Sequence, residues 1–354
     1  MMVAIIGLPQ SGKSAVFTAA TGVAADPYSV PQPRQAVVRV PDERLAYLTA
    51  LYKPKKVTLA TIELVDIPGC SLDDAKGRED WRKLLPIVRK AELLVVVVRD
   101  FQNTSVPAYR DRVDADGDFS TVWSELIFSD LEGVANRVEK LEKAVKKPTP
   151  MQEAQKHELA LMIHCRDALE AEKALSTALQ SPSDRAALSS FGFLTEKPVL
   201  CVRNVSDEDA STATPLEVEH AVGSLAMSAS IEAEIAQLDP TDRAAFLEEL
   251  GLPKPARDRL IQTCYDALGL VSFLTVGPDE VRAWTIRKGA TAVEAAAKIH
   301  TDLAHGFIRA ETVAYEDLVA HTDMKGAKAA GKVRKEGKTY IVADGDILNI
   351  LSSA

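Results

Sequence analysis

Residues 7–14, with the sequence GLPQSGKS, have the spacing of a loop that can bind phosphate. The pattern G-x-x-x-x-G-K-S/T lets successive backbone N–H groups point inward around a phosphate, and a following helix N-terminus adds partial positive charge. Lys13 would reach the β and γ phosphates of a nucleotide, and the Ser14 hydroxyl would ligate Mg²⁺. The residues that we expect to contact nucleotide phosphates are Gln10, Ser11, Gly12, Lys13, Ser14 and Ala15.

The elements on either side of this loop decide between a phosphate site and a glycine-rich turn that matches by chance. Residues 2–6 (MVAII) form a short apolar run that predicts a buried parallel strand. Residues 13–22 (KSAVFTAATG) predict a helix that ends at Gly22. A loop between a strand and a helix is the context that the motif requires, and it favours the phosphate site.

A second motif, Asp66-Ile67-Pro68-Gly69, follows a predicted strand at residues 59–66. An Asp at a strand end can hold Mg²⁺, usually through water, and the Gly69 amide can sense the γ phosphate. The D-x-x-G pattern alone is weak, and the alternative is an ordinary strand-end turn. Its position about fifty residues after the first motif favours the metal role. Lys13 and Gly69 are candidates for stabilising a transition state, and no catalytic residue is assigned.

Two loop segments further along the chain are candidates for binding a nucleotide base. Asn204, Val205 and Asp207 follow a predicted strand at residues 198–203, where GTP-binding proteins carry N-K-x-D. The Asp of that motif accepts hydrogen bonds from guanine, and Val205 stands here in place of the Lys. A backbone amide of Ser228-Ala229 could contact the base from the other side. Both are ordinary loop sequences, so their order after the first two motifs carries the argument.

The bulk properties are those of a globular protein with two or three domains. The chain has 354 residues, of which 46% are hydrophobic and 26% charged, and its formal net charge is −9. The four cysteines form no CxxC pair, which argues against a zinc site or a disulfide framework. No segment approaches the ~18 consecutive apolar residues of a membrane span. We expect a cytoplasmic protein without a membrane partner.

The remaining patterns predict an α/β arrangement with a helical insertion and a small C-terminal unit. Residues 36–40 and 93–98 read as strands, and residues 79–91, 231–238 and 241–250 as helices. Long amphipathic helices at 121–146 and 151–180, joined by a proline turn, predict an antiparallel hairpin. Strands at 271–276, 281–286, 307–308 and 339–343 with a helix at 291–304 predict a mixed unit, and residues 325–338 form a basic run.

This order of motifs resembles the Obg-like ATPase family of the YchF type, within the TRAFAC P-loop NTPases. Residues 282–311 and 344–347 are similar to that family's TGS domain, and residues 40–69 also fit. The resemblance implies an α/β fold: a P-loop G domain with a mostly parallel, doubly wound sheet, an inserted antiparallel helical arm and a C-terminal TGS β-grasp domain. It places these at residues 1–118 and 196–270 (G domain), 119–195 (helical insertion) and 271–354 (TGS-like domain).

The resemblance also implies a function. The family binds purine nucleotides with Mg²⁺, generally favours ATP over GTP, hydrolyses slowly and associates with ribosomes. By that resemblance Asn204 and Ser228-Ala229 bind the base, and nucleotide state gates association with the translation machinery. The TGS-like domain and the basic run 325–338 would contact ribosomal RNA, since phosphate contacts need clustered Lys and Arg. The alternative for the run is a solvated surface. We expect a monomer that does not bind DNA.

Several departures from the family pattern leave two alternatives open. Asp207 stands where the family has Glu, which also allows a preference for GTP. Val30 replaces a switch Thr and cannot ligate a metal, and Ala108 replaces a His thought to assist hydrolysis. A missing catalytic group costs a factor of ~10²–10⁴ in rate, so a nucleotide-dependent binding module without meaningful hydrolysis is the other alternative. Three carboxylates are candidates to position water instead: Asp73, Asp74 and Glu79.

Overall fold

The structure is a computed structural model that describes residues 1–24, 32–252 and 254–353. Its strands are β1 (Met2–Ile6), β2 (Arg34–Arg39), β3 (Lys56–Thr58), β4 (Thr61–Asp66), β5 (Leu93–Asp100), β6 (Val199–Val205), β7 (Gly223–Met227), β8 (Leu270–Thr275), β9 (Glu280–Arg287), β10 (Phe307–Ala314), β11 (Arg334–Glu336) and β12 (Asp346–Ser352). The contacts divide the chain into two compact units. The first contains Met1–Ala36 and Glu63–Leu260, and the second contains Val37–Ile62 and Ile261–Ala354.

The helices occupy most of the chain between the strands. They are α1 (Lys13–Thr21), α2 (Arg44–Tyr52), α3 (Ala75–Val88), α4 (Ala115–Ala144), α5 (Gln152–Glu170), α6 (Leu175–Ala178), α7 (Pro182–Leu188), α8 (Ala229–Ile235), α9 (Pro240–Glu249), α10 (Ala256–Ala267), α11 (Ala292–Ile299), α12 (Thr301–His305), α13 (Tyr315–Ala320) and α14 (Met324–Ala329). Two short 3₁₀ helices lie at Tyr109–Asp111 and Ser189–Phe191.

The first unit contains most of a sheet with the strand order β2-β4-β1-β5-β6-β7. The pairs β1–β4, β1–β5, β5–β6 and β6–β7 are all parallel. Strand β5 is buried at every position except Asp100, because an apolar run without alternation suits a strand that is covered on both faces. The strand order reverses at β1, and ligands of open parallel sheets bind beyond the carboxyl ends of strands at such a point. The loop that follows β1 is the candidate phosphate loop.

The helical insertion belongs to the first unit. Helix α4 begins after Asp114, whose side chain accepts a hydrogen bond from the Gly117 amide at 3.0 Å. Arg137 of α4 pairs with Glu158 of α5 at 2.7 Å, and the Gln152 side chain donates to the Val145 carbonyl at 2.8 Å. These contacts join the end of α4 to the beginning of α5, so the two helices run antiparallel as expected.

The second unit has a mixed sheet with the order β11-β10-β12-β8-β9-β3. Strands β8 and β9 are antiparallel, as are β10 and β12, while β12 and β8 are parallel. Helix α11 begins with a capping box in which Thr291 and Glu294 satisfy each other's amides. Its buried residues Ala292, Ala295 and Ala296 pack against a core that includes Phe273 and Phe307.

Some elements differ from the sequence-based predictions. The helix expected at 151–180 ends at Glu170, because the chain turns at Glu172 with φ 58°. The strand expected at 339–343 is wrong: only an isolated bridge at Ile341 forms there, and the strand β12 begins after Gly345 at φ 83°. The division of the chain also places residues 37–62 with the C-terminal unit, since β3 pairs with β9. The expected domain boundaries, including the TGS-like β-grasp domain at 271–354, stay predictions.

Candidate functional site

The loop between β1 and α1 needs glycine at two positions. Gly7 has φ 151°, and a Cβ there would lie 2.4 Å from the Val97 carbonyl oxygen. Gly12 caps α1 with φ 90°, and a Cβ there would lie 2.0 Å from Asn204 Nδ2. Side chains other than hydrogen rarely tolerate such backbone conformations or such close contacts. The loop therefore brings its backbone close to two other strands of the sheet and leaves the N-terminus of α1 facing the same edge.

Lys13 is the first residue of α1, and its side chain reaches back into this loop. Its Nζ donates to the Leu8 carbonyl at 2.8 Å, and the side chain is buried. Burial lowers the pKa of Lys13 to about 8, while the negative charge of Asp66 and, to a smaller extent, Cys70 raise it. A Cβ on Gly69 would lie 2.7 Å from Lys13 Nζ. The structure therefore brings together the two residues that were expected to stabilise a transition state.

Ser14 and Asp66 form the expected pair of metal-binding residues. Ser14 Oγ donates to Asp66 Oδ2 at 2.9 Å, and Asp66 is the last residue of β4. The same Oδ2 atom accepts from Arg34 Nη2 at 2.7 Å and from Arg34 Nε at 3.2 Å. Arg34 was not predicted from the sequence, because nothing local marks an arginine at the start of a strand as the partner of a carboxylate elsewhere in the chain.

The two oxygens fit a magnesium ion that a nucleotide brings with it. Asp66 Oδ1 is buried and has no hydrogen-bond partner among the described residues, so one carboxylate oxygen remains to accept from a water. Within the described part of the chain, no group of three His, Cys, Asp or Glu side chains could hold a metal alone. Mg²⁺ is usually held by one or two protein oxygens together with substrate phosphates and waters. Ser14 and Asp66 would supply those protein oxygens.

The remaining phosphate-loop residues surround this centre. Gln10 adopts φ 60°, and its carbonyl accepts from Arg99 Nη1 at 3.4 Å. Ser11 is buried, and its Oγ has no partner among the residues that the structure describes. Ala15 lies in the first turn of α1. A buried hydroxyl without a partner and a helix N-terminus are both suited to an anion.

Asn204 links the expected base-binding segments to the phosphate loop. Its Nδ2 donates to the Ser11 carbonyl at 3.2 Å, and its Oδ1 accepts from the Ala229 amide at 3.0 Å. Both ends of the buried side-chain amide are therefore used within the protein. Asn204 orders the two loops, and the Ala229 amide that was expected to reach a base is occupied by this bond.

Asp207 and Ser228 also meet each other. Ser228 Oγ donates to Asp207 Oδ1 at 2.5 Å and accepts from the Ile231 amide at 3.3 Å as the cap of α8. Asp207 is exposed, while Val205 is buried at the end of β6 and offers little surface to a base. The structure thus gathers Asn204, Asp207, Ser228 and Ala229 at one edge of the sheet, and Val205 lies behind them.

The comparisons with known proteins agree with this architecture. Residues 2–122 match a family described as a 50S ribosome-binding GTPase, and residues 270–352 match the C-terminal family of YchF GTPases. The ribosome-binding ATPase YchF of Bacillus subtilis (strain 168) is 38% identical over 358 residues, which cover 98% of this chain and 97% of that protein. The chain belongs to the YchF family. The relative of the same name from Escherichia coli O157:H7 is 38% identical over 357 residues, covering 98% of both chains.

A solved structure supports the YchF fold. The YchF GTPase of Schizosaccharomyces pombe superposes with a TM-score of 0.84 at 30% identity, covering 99% of this chain and 97% of that one. The recognition of the family from the sequence is confirmed, and so is the α/β class with a G domain and a C-terminal domain. Among the described residues, no helix has the length and apolar character needed to cross a bilayer.

Asp207 is one departure from the YchF pattern, and Val30 and Ala108 are two others. Val30, the expected replacement of a switch Thr, falls outside the described residues. Ala108 precedes the 3₁₀ helix Tyr109–Asp111, and the adjacent Tyr109 Oη accepts from the Leu72 amide at 3.1 Å. The loop after β5 therefore contacts the segment after the D-x-x-G motif. Arg99, buried at the end of β5, holds this loop through the carbonyls of Phe101 and Val106.

The three carboxylates considered for positioning water are engaged elsewhere. Asp73 pairs with Arg110, with Arg110 Nε 2.9 Å from Oδ2, and this contact lowers the pKa of Asp73 to about 2. Asp74 accepts from the Gly77 amide at 2.8 Å and caps α3. Glu79 pairs with Lys83 at 2.9 Å on the outer surface of α3. None of the three reaches the Lys13 and Ser14 centre through a contact in the described structure.

Proposed function

We propose that this YchF-family protein binds a purine nucleoside triphosphate together with Mg²⁺ and favours ATP over GTP. The observation that carries the proposal is the meeting of Lys13, Gly69, Ser14 and Asp66 beyond the carboxyl ends of β1 and β4. A phosphate-loop lysine, a hydroxyl and a strand-end carboxylate are the groups that nucleotide phosphates and their metal require. The names of the curated relatives, which call them ATPases, agree with this assignment.

Each residue would have a defined role toward the nucleotide. The backbone amides of residues 10–15 and the N-terminus of α1 would bind the phosphate oxygens, and Lys13 would exchange its bond to the Leu8 carbonyl for a bond to phosphate. When bound through Ser14 and Asp66, Mg²⁺ would neutralise charge on the β and γ phosphates. The backbone N–H of Gly69, which lies beside Lys13, would sense the γ phosphate.

Base preference rests on the segment around Asn204. Asn204 is tied to Ser11 and Ala229, so it would act by ordering both loops around the base. Asp207 is the residue that guanine readers use, but its Oδ1 accepts from Ser228 Oγ. That bond occupies part of the carboxylate, which supports a preference for ATP. A preference for GTP is the second candidate, and it requires Asp207 to leave Ser228 and accept from guanine.

Hydrolysis is proposed to be slow. Ala108 has no group that can transfer or orient a proton, and Asp73, Asp74 and Glu79 are engaged in other contacts. Loss of one positioned catalytic group lowers a rate by ~10²–10⁴. A nucleotide-dependent binding module without meaningful hydrolysis is the alternative that these same contacts favour.

Nucleotide state is proposed to gate association with the ribosome. The relatives are named ribosome-binding ATPases, and the family that matches residues 2–122 is described as ribosome-binding. In the basic run 325–338, five lysines are exposed: Lys325, Lys328, Lys332, Lys335 and Lys338. These cations, together with a TGS-like fold of residues 271–354, would contact ribosomal RNA phosphates. We also propose that the protein is a cytoplasmic monomer without DNA or membrane partners.

Calorimetric titration tests the proposal. Nucleotide-free protein with Mg²⁺ is titrated with non-hydrolysable ATP and GTP analogues, and Lys13→Ala serves as the variant that lacks the phosphate contact. The expected result is binding of both analogues, tighter for ATP, and a loss of about tenfold or more in Lys13→Ala. Tighter binding of the GTP analogue would select the second candidate. Equal affinity of wild type and Lys13→Ala would contradict the phosphate site.

Phosphate release then separates the two views of catalysis. Release of phosphate from ATP by wild type, well above that by Lys13→Ala, is expected for a slow ATPase. Equal release of phosphate by both proteins would favour the alternative, a protein that binds nucleotide without meaningful hydrolysis.

A further inference from the structure

Arg34 is held beside the expected magnesium site by contacts on several sides. Its guanidinium donates to Asp66 Oδ2 from both Nη2 and Nε, at 2.7 and 3.2 Å. It also donates to the carbonyls of Ser14 at 3.4 Å and Val23 at 3.5 Å, and it lies 4.8 Å from the centre of the Phe17 ring. These contacts fix both the planar group and its charge next to Ser14 and Asp66.

The pair changes the charge that an incoming nucleotide meets. The side chain of Asp66 is only 5% exposed and that of Arg34 is 22% exposed, so solvent screens their interaction only in part. With Arg34 in place, the charge of Asp66 is balanced inside the site, and the positive charge of Lys13 remains for phosphate. Without Arg34, the charge of Asp66 would oppose the phosphates until a metal ion arrives.

The Arg34–Asp66 pair also limits the free energy that Mg²⁺ would gain by binding at this site. The ion would need the Ser14 hydroxyl and a water-mediated contact with Asp66, and Asp66 Oδ2 already accepts from both Ser14 and Arg34. Charge-assisted bonds from arginine to carboxylate are among the stronger hydrogen bonds in proteins. Mg²⁺ therefore competes with a cation that belongs to the chain.

We propose that Arg34 is a built-in counter-ion of the nucleotide site, which substitutes for part of the charge of Mg²⁺ and makes nucleotide binding only weakly dependent on the metal. The inference rests on the proposed function, because it concerns the same phosphate loop. It adds a residue outside the known loop motifs and predicts how two ligands, the nucleotide and Mg²⁺, influence each other's affinity. Such coupling is reciprocal, so it can be read from nucleotide binding alone.

The test measures the affinity for ADP in excess Mg²⁺ and in EDTA by calorimetry, and takes the ratio of the two dissociation constants. ADP avoids any contribution from hydrolysis. In wild type we expect Mg²⁺ to tighten ADP binding by less than about threefold. In Arg34→Gln we expect the ratio of the two dissociation constants to be about ten times that of wild type. Arg34→Lys, which keeps the charge, should stay close to wild type.

Arg39→Gln is the matched control, because Arg39 is an exposed arginine at the other end of the same strand. Its ratio should equal that of wild type. An unchanged ratio in Arg34→Gln would overturn the inference, even if its affinity for ADP or its thermal stability fell. A purely structural role would weaken ADP binding equally with Mg²⁺ and with EDTA, and would leave the ratio unchanged. A ratio in Arg34→Lys equal to that of a well-folded Arg34→Gln would overturn the explanation by charge. Absence of ADP binding by wild type in both conditions would instead contradict the proposed function itself.

Discussion

Asn204 lies directly against Gly12. The Asn204 side-chain amide donates to the carbonyl of Ser11 at 3.2 Å, and a Cβ on Gly12 would come within 2.0 Å of its Nδ2 atom. The segment expected to read the base and the loop expected to bind phosphate are therefore one packed structure. Asn204 also accepts from the amide of Ala229. A substitution in the phosphate loop should therefore alter the base-binding segment, and the reverse.

Gly12→Ala should weaken both stability and nucleotide binding. The new methyl group meets Asn204, and φ 90° is strained for alanine, with a cost of about 1–3 kcal/mol for the backbone alone. Gly22→Ala is the matched control, because Gly22 caps the other end of α1 at φ 73° with no atom within 4 Å of a Cβ. Urea unfolding and ADP titration of both variants separate strain from contact.

The contact explanation predicts a specific rescue. In Gly12→Ala/Asn204→Ala the clash is removed, so the double variant should lose less stability than the sum of the two single variants. A simple sum, or Gly22→Ala as damaging as Gly12→Ala, would show that backbone strain alone explains the effect.

Lys13 should make the stability of the nucleotide-free protein depend on pH. Burial lowers its pKa to about 8 from the 10.5 of an exposed lysine, so the unfolded chain binds more protons between these values. Stability from this residue therefore rises as pH increases from about 8 toward 10.5. Relative to Lys13→Met, the unfolding free energy of wild type should increase by about 1–3 kcal/mol between pH 8 and pH 10.

Urea unfolding at several pH values measures this difference. Below pH 7 the difference between wild type and Lys13→Met should be constant, because Lys13 is protonated in both the folded and unfolded chains. If the free energies of unfolding of the two proteins changed in parallel across the alkaline range, folding would not lower the pKa of Lys13.

Asp130 should be essential for joining the helical insertion to the segments that precede β5 and β6. It is fully buried on α4 and accepts from the amides of Leu194 and Thr195 at 3.1 and 2.9 Å and from Arg89 at 2.8 Å. Removing the carboxylate leaves buried donors and a cation without a partner. Asp130→Ala should cost about 3–5 kcal/mol in the free energy of unfolding.

Glu132→Ala provides the comparison on the same helix. Glu132 pairs with Arg82 at 3.2 Å on the surface, where an ion pair contributes at most about 1 kcal/mol. Urea unfolding should therefore separate the two variants clearly. Similar losses in both would mean that Asp130 contributes no more than a surface charge.

The sequence predicted the site where its signals are local. Residues 7–14 and 66–69 have backbone requirements that each segment shows by itself, and their order implied one edge of a parallel sheet. Contacts between distant side chains were not predictable. Arg34 pairs with Asp66, and Ser228 pairs with Asp207, only because the fold brings separate strands together.

The same limit applies to the fold. The long helices α4 and α5 were predicted because amphipathic periodicity accumulates over many residues. Strand β3 was missed, since three mostly exposed residues carry no periodic signal and gain their strand conformation by pairing with β9. That pairing is also the reason why residues 37–62 group with the C-terminal unit, which no local pattern indicates.

Ser228 should influence the choice between ATP and GTP. Its Oγ occupies Asp207 Oδ1, the atom that would accept from guanine. Ser228→Ala frees that carboxylate, so the affinity for a GTP analogue relative to an ATP analogue should rise about threefold to tenfold, the worth of one hydrogen bond. Calorimetry with both analogues measures the ratio.

Ser206→Ala is the control for this change. Ser206 Oγ, in the same loop, donates to Asp209 Oδ2 at 2.6 Å and not to the Asp207 carboxylate. Its relative affinity for the two analogues should match that of wild type. If Ser228→Ala lowers both affinities equally, its effect is the loss of the helix cap and not the release of Asp207.

The basic run 325–338 should determine how salt affects association with ribosomes. Five of its lysines are exposed, and one of them, Lys332, pairs with Asp317 at 3.0 Å. Each cation that neutralises an RNA phosphate adds to the slope of log affinity against log salt concentration. Replacing Lys325, Lys328, Lys335 and Lys338 by Gln should therefore weaken binding to purified ribosomes most at low salt. The slope should decrease by about 0.7–0.9 for each lysine that contacts phosphate.

The comparison is Lys146→Gln/Lys147→Gln, which removes two exposed lysines from the end of the helical hairpin and should leave the slope unchanged. Both variants lose positive charge, so the variant whose slope decreases identifies the lysines that contact RNA phosphates. A slope that decreases only in the second variant would assign the RNA contact to the hairpin.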